Sequence, residues 1–380
     1  MKSRTTNCNR LRTSISVAAI LILCTCAGWK QLKSATTAID SPKVFPNVLG
    51  VNIAGAEFGT DKPMFSASSP GAVGRDYIYP GRDTVDPLAK QGIRLFRIPV
   101  RWERLQPKLD QPLNSDELGR LITLIDRIGR ANSVAIIDLH NYGRYRSETD
   151  HVPLEAVIDQ SNGKSVAVSA NQLADFWRRI ALQFKESNVV VAYGIMNEPH
   201  DMGRSSWSRI SQSTVDAIRD VDRRTWILVG GNDWSSAERF ESANGPRAWI
   251  NDPTDLIIYE AHCYLDHDGS GKYSKSFERE QQLDPTIISR PQNRLKPFVL
   301  WCQRNRVRGF VGEFGVPADD PAWNRLLDEM LTYMADSQLP GCCWAAGPWW
   351  GDYPLSIESI KVNGRHLLSL DLLHKHQNGQ

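Results

Sequence analysis

The sequence lacks the features that mark metal, nucleotide and nucleic-acid proteins. Its seven cysteines include no CxxC pair at zinc-site spacing, so no metal site is expected from them. The glycines from Gly50 to Gly59 do not fall in the G-x-G-x-x-G spacing of a dinucleotide-binding turn. No internal repeat and no low-complexity linker divides the chain. Charge of one sign is scarce as well: 45 basic residues face 43 acidic ones. Six of the basic residues and none of the acidic ones lie in residues 1–35, so the remaining chain is slightly acidic, 39 against 43. A body of that sign has no electrostatic reason to seek nucleic acid or anionic lipid.

The basic start has its own explanation. Lys2, Arg4, Arg10 and Arg12 precede an uncharged apolar run from Ile15 to Trp29. That run has the length of a secretory signal core and falls short of the roughly 20 residues of a membrane-spanning helix. Thr25, Ala27 and Gly28 are small enough to admit a signal peptidase. We therefore expect a signal peptide or signal anchor over 1–35, a short linker over 36–45 and a catalytic domain over 46–376. The protein would be secreted or periplasmic, or membrane-tethered if the segment stays uncleaved, and monomeric. Lipid attachment at Cys24 or Cys26 is disfavoured by Leu23 and Thr25. Outside the leader, Cys263 with Cys302 is one candidate disulfide; four buried thiols, with Cys342 and Cys343, are the alternative.

From Pro46 onward, short β-rich runs alternate with helical periods. The runs are 48–53, 93–98, 133–139, 189–196, 226–229, 256–260, 309–314 and 341–345. Several are continuously apolar, as expected for parallel strands covered on both faces. Helix-period stretches lie at 116–130, 170–187, 206–222, 291–306 and 322–337, the first with Ser115 available as a cap. Residues 55–87, rich in Gly, Pro and Ser, read as a long loop. Eight strand–helix units close most economically into a single α/β (β/α)₈ TIM barrel; a doubly wound open sheet is the competitor.

In such a barrel the chemistry sits at the C-terminal ends of the strands. Those ends carry Asn52, Arg97, His140, Asn197, Glu198, His262, Tyr264, Glu313 and Trp344. Each has an ordinary reading by itself: a solvated glutamate, a hydrogen-bonded structural histidine, an arginine bridging strands, a packed tryptophan. Together at one rim they converge on a reaction. Two carboxyls facing across a barrel mouth suit glycoside hydrolysis, one protonated to assist the leaving oxygen and one ionised. Arg97 is expected to hold Glu313 ionised and lower its pKa, and Tyr264 to donate to the same carboxylate. Asn197 can donate to a sugar 2-hydroxyl; His140 and His262 bind hydroxyls or tune Glu198. Trp344, Trp349, Trp350, Trp102 and Trp234 are candidate sugar platforms. Asn52 is either a sugar contact or a turn residue. Trp177 and Trp301 fall inside helical runs and read as core.

These segments resemble glycoside hydrolase family 5, the clan-A (β/α)₈ cellulase family. The matching stretches are Gly92–Pro99, Leu139–Tyr142, Asn197–Pro199, His262–Tyr264, Gly312–Gly315 and Trp344. The resemblance implies a retaining double displacement with Glu198 as acid/base, Glu313 as nucleophile, and no cofactor. Finer stretches, Val51–Phe58, Tyr264–Gly271 and Trp344–Trp350, look like the endo-β-1,4-glucanase branch, so a β-glucan is the expected partner. Mannan, mixed-linkage or β-1,3-glucan with the same mechanism is the alternative; so is a catalytically silent sugar-binding envelope protein. A barrel metal hydrolase finds no clustered ligand motif.

Overall fold

The structure is a computed structural model that describes residues 41–149, 151–161, 167–358 and 367–378. The leader, Cys8, Cys24, Cys26 and residues 36–40 of the expected linker lie outside the described residues. Among those described, no helix is long and apolar enough to cross a membrane.

Eight parallel strands close the barrel: β1 (Leu49–Ile53), β2 (Leu95–Val100), β3 (Val134–Leu139), β6 (Val190–Gly194), β7 (Trp226–Gly230), β8 (Ile257–Tyr264), β9 (Arg308–Gly315) and β10 (Gly341–Ala346). Between β3 and β6 stands an antiparallel hairpin, β4 (Arg144–Thr149) and β5 (Val152–Val157), absent from the runs expected on sequence. Helices α1 (Arg82–Lys90), α3 (Ser115–Arg130), α4 (Ala170–Phe184), α5 (Trp207–Arg219), α8 (Arg290–Asn305) and α9 (Pro321–Asp336) alternate with the strands, alongside the short α2 (Trp102–Leu105), α6 (Phe240–Asn244) and α7 (Phe277–Leu283) and a final α10 (Leu368–Asn378). The helix over 115–130 is capped by Asn114, not Ser115, because the Asn114 side chain accepts from the amides of Asp116 and Glu117. Its stripe of Leu121, Leu124, Ile125 and Ile128 is buried.

The interior is layered by the two-residue period of the strands. Leu95, Ile136, Val191, Ala192, Leu228, Ile258, Phe310 and Cys342 form a separate apolar cluster drawn from barrel strands alone. This is the barrel's plug. Phe45 packs beneath it, edge-on to Trp226 and Phe310. Lys43 is buried too, its ammonium donating to the carbonyls of Phe184 and Val190. The compact body thus includes residues expected to form a linker.

Two residues further along the strands, the apolar plug gives way to a polar layer of Asn52, Arg97, Asp138 and Glu260, with Gly194, Gly230 and Gly312 from the intervening strands. Four of the eight positions carry polar side chains that need partners, and three have no side chain, which leaves room for the others. Cys263, Cys302, Cys342 and Cys343 are all free and buried, so the candidate Cys263–Cys302 disulfide is not formed.

Candidate active site

The site is built upward from Arg97, which is fully buried on β2. Its Nη1 donates to Asn52 Oδ1 at 2.9 Å and to Glu313 Oε1 at 3.2 Å; its Nη2 donates to Asn197 Oδ1 at 2.8 Å. The same Nη2 lies 2.9 Å from Asp138 and 3.0 Å from Glu260. One cation therefore faces three carboxyls out of water, and the pairing offsets the cost of burying the guanidinium. Burial pulls its pKa down, but Asp138, Glu260 and Glu313 overcome this and keep Arg97 charged.

Glu313 reaches the mouth because β9 is irregular. The pairing with β8 passes from Ala261–Val311 to His262–Glu313, skipping Gly312. Such a bulge re-aims one side chain. Glu313 Oε2 accepts from the Tyr264 hydroxyl at 2.8 Å and lies 3.6 Å from His262 Nδ1. Burial raises the Glu313 carboxyl above its ordinary range, outweighing the opposing pull of His262 and Arg97, while the Glu198 charge adds to the rise. Arg97 does act on Glu313 in the expected direction, but desolvation wins and the net shift is upward.

At Gly312 a methyl group would stand 1.8 Å from Glu260 Oε1. Glu260 cannot swing away freely, being held between Arg97 and His262. Gly312→Ala is therefore expected to destabilise the fold by about 1–3 kcal/mol through overpacking. Calorimetry should show a melting temperature lower by several degrees; an unchanged transition would mean that Glu260 is loosely held.

Glu198 lies beyond β6, between Asn197 and Pro199, with a left-handed φ of 43°. A non-glycine residue there costs of order 1 kcal/mol or more and marks a position held by its surroundings. Its Oε1 lies 2.7 Å from His262 Nδ1. The other ring nitrogen of His262 faces Glu260 Oε1 at 3.4 Å. Burial would lower the His262 pKa, but the Glu313 charge and the hydrogen bonds to Glu198 and Glu260 raise it to about 10. His140 is the opposite case. Its Nδ1 pairs with Asp138 at 2.9 Å, its Nε2 faces the Asn197 amide at 3.4 Å, and burial lowers its pKa to about 3. His140 thus meets Asn197, and of the two histidines it is His262 that meets the Glu198 carboxylate.

One donor atom each from Glu198, His262 and Glu313 lies within 4.8 Å of the others, the group among the described residues whose closeness would suit a cation. Every member already has a partner. Glu198 and Glu260 both face the His262 ring, and Glu313 is held by Arg97 and Tyr264.

The structure sorts the tryptophans. Trp344 stacks on His140 with ring centres 5.4 Å apart and planes 15° apart. Trp350 meets Trp344 edge-on and stacks on Tyr353. Trp349, 38% exposed, lines a second cavity of about 510 Å³ with Trp350 and Asp352. Trp234, 42% exposed, stacks one face on His200 at 4.3 Å and borders a cavity of about 420 Å³ with Glu198, His262 and Tyr264. Trp102 is no platform. It is fully buried in α2 against Tyr145 and Phe176, its Nε1 donating to Gln106, since the apolar core claims the whole ring. Asn52 is also withdrawn from any sugar: it is fully buried, accepting from Arg97 and donating to the Gly312 carbonyl. Trp177 and Trp301 are core, as expected.

Sequence reasoning alone misses the roles of Asp138, Glu260 and His200. The first two carry a recognisable signal, an acid two residues before a strand-end histidine, where the strand period puts both side chains on one face. His200 carries none.

The comparisons with known proteins agree with this geometry. The family model described as cellulase (glycosyl hydrolase family 5) matches residues 51–349. A probable endo-beta-1,4-glucanase B of Neosartorya fischeri is 32% identical over 333 residues, 86% of this chain and 91% of its own length. Pseudomonas stutzeri endoglucanase Cel5A, solved in complex with cellobiose, superposes with a TM-score of 0.76 at 38% identity, covering 89% of this chain and 95% of that one. XacCel5A, solved in complex with cellopentaose, gives 0.73 at 32% identity over 87% and 99%. With a barrel closed in this order and a family match across nearly all of it, the chain belongs to the cellulase family, glycosyl hydrolase family 5.

Proposed function

We propose that this chain is a retaining endo-β-1,4-glucanase in which Glu313 is the nucleophile and Glu198 the general acid/base. One observation carries the reading: carboxylate oxygens of Glu198 and Glu313 lie within 4.8 Å of each other across the barrel mouth. Retaining glycosidases hold their carboxyls about 5–5.5 Å apart, whereas inverting ones need roughly 6.5–9.5 Å to admit a water. The endoglucanases to which the chain is similar, two of them solved with cello-oligosaccharides, support the β-1,4-glucan substrate.

Glu313, aimed by Tyr264 and Arg97, attacks the anomeric carbon while Glu198 gives its proton to the departing glycosidic oxygen. Glu198 then takes a proton from water, which displaces Glu313 and restores the original anomeric configuration. Asn197 has its oxygen on Arg97 and one amide N–H toward His140, which leaves its second N–H to favour the sugar 2-hydroxyl. Trp344 offers a flat face to the ring being cleaved, and Trp234 one to the leaving chain. The reaction needs no metal or organic cofactor. Work outside the cytoplasm as a monomer, after export on the basic and apolar leader, completes the reading.

Reducing-end release should be measured on carboxymethylcellulose, barley glucan and mannan, with and without a chelator, and the first product's anomer read by NMR. The two glucans are expected to be cleaved and mannan left intact, the chelator to change nothing, and the β-anomer to appear first. Release from mannan alone would overturn the substrate, and an α-anomer the mechanism.

A further inference from the structure

We infer that Glu260 is a positioning residue: it keeps His262 protonated on both ring nitrogens, so that the acidic proton of Glu198 is presented to the leaving group rather than captured by the imidazole. The inference rests on the reading of Glu198 as the acid/base.

The geometry carries it. His262 Nδ1 faces a carboxylate oxygen of Glu198 at 2.7 Å and one of Glu313 at 3.6 Å, and its Nε2 faces Glu260 Oε1 at 3.4 Å. Both nitrogens thus meet acceptors, the arrangement of an imidazolium with two N–H donors. His140, across the same mouth, has the contrasting environment. One of its nitrogens faces the Asp138 carboxylate, while the other faces the amide donor of Asn197 and must accept. Two acid-x-histidine pairs on β3 and β8 therefore hold their histidines in opposite charge states. The other titratable groups around His262 are Arg97 of β2, behind Glu260, Asp138 of β3, and the neutral His140 just beyond it. A raised pKa for His262 accords with the geometry.

The consequence concerns one proton. While both nitrogens carry hydrogen, Nδ1–H donates to one Glu198 oxygen, and the acid's own hydrogen has to sit on the other oxygen. A neutral ring with hydrogen only on Nε2 would present a bare Nδ1 to Glu198 and compete with the substrate for that hydrogen. Glu260 prevents this by making the second N–H worthwhile. Gly312, which lacks the methyl that would fill the space of Glu260 Oε1, makes the carboxylate's position possible.

Two measurements test the inference. Nitrogen-15 NMR of the full-length wild-type enzyme, with the His262 signals assigned by their loss in His262→Gln, should show both ring nitrogens protonated from pH 5 to 8. Glu260→Gln, checked for folding by calorimetry, should lower kcat/KM on cellotetraose at least ~10-fold and move the basic limb of its pH profile down. On 2,4-dinitrophenyl β-cellobioside, whose leaving group departs without a proton, the loss should stay within about threefold. A bare nitrogen in wild-type His262 at pH 7, or equal losses on both substrates, would overturn the inference. The NMR result stands whether or not the variant folds. If instead Glu198 proves not to be the acid/base while His262 is doubly protonated, the functional reading fails and the charge state survives.

Discussion

Glu313→Gln is expected to cut turnover of carboxymethylcellulose on the order of 10⁵-fold, the scale on which loss of a covalent nucleophile acts. The substitution keeps the side chain's shape: the amide oxygen still accepts from Arg97, now 3.2 Å from one carboxylate oxygen, while the NH₂ donates to the Tyr264 hydroxyl, now 2.8 Å from the other. It removes the negative charge and, with it, the ability to form the glycosyl ester. Titration calorimetry should therefore still detect cello-oligosaccharide binding. Residual turnover within about 100-fold of wild type would remove Glu313 from the role. The pH behaviour provides a second check. Glu313 must be ionised to attack, and burial raises its pKa above 4.5, so the acid limb of kcat/KM should lie above that value. Stability responds to the same shift. A carboxyl with a raised folded pKa contributes stability below its unfolded pKa and loses it as pH rises through the folded one. A glutamine at 313 escapes that loss, so at pH 7 the variant should melt no lower than wild type.

How much of the molecule is legible in its sequence depends on which interactions are local. Barrel strands buried on both faces announce themselves as continuous apolar runs, and the runs beginning at 48, 133, 226 and 341 fall within a residue or two of β1, β3, β7 and β10. Strand-end residues point at the mouth by topology alone, so Arg97, Asn197, His262, Tyr264 and Glu313 can be brought together from their spacing along the chain. The depth of a side chain is a different matter. Asn52 and Trp102 also sit near strand ends, but one lies in the buried polar layer and the other turns its ring into the core from α2, and no periodicity separates them from Trp234. The balance of desolvation against charge at Glu313 is equally hidden, because it depends on distances to four groups from different strands. The hairpin β4–β5 escapes because its residues alternate weakly and its stability is borrowed. Ala67 of the long loop donates to the Arg146 carbonyl, and Glu103 accepts from the Arg146 amide. A two-stranded hairpin without such partners is marginal.

Glu198→Ala should act differently, and the difference identifies its role. On 2,4-dinitrophenyl β-cellobioside the first step needs no proton, so Glu313 should still be glycosylated. The second step does need a base, and its loss should lower kcat by about 10²–10⁴-fold, with the glycosyl-enzyme accumulating as a burst. The truncation also empties the space beside His262 Nδ1, now 2.7 Å from the Glu198 carboxylate. Azide fits the chemistry of that space: it is an anion facing a protonated ring, and it attacks carbon without needing a base. Added azide should restore kcat at least ~10-fold and yield the β-glycosyl azide, since it enters from the face that water uses. On cellotetraose the same variant should stay slow with azide present, because no group remains to protonate the sugar leaving oxygen. An absence of rescue, or an α-glycosyl azide, would displace Glu198 from the acid/base position, and the 4.8 Å approach of its carboxylate to Glu313 would then need another explanation.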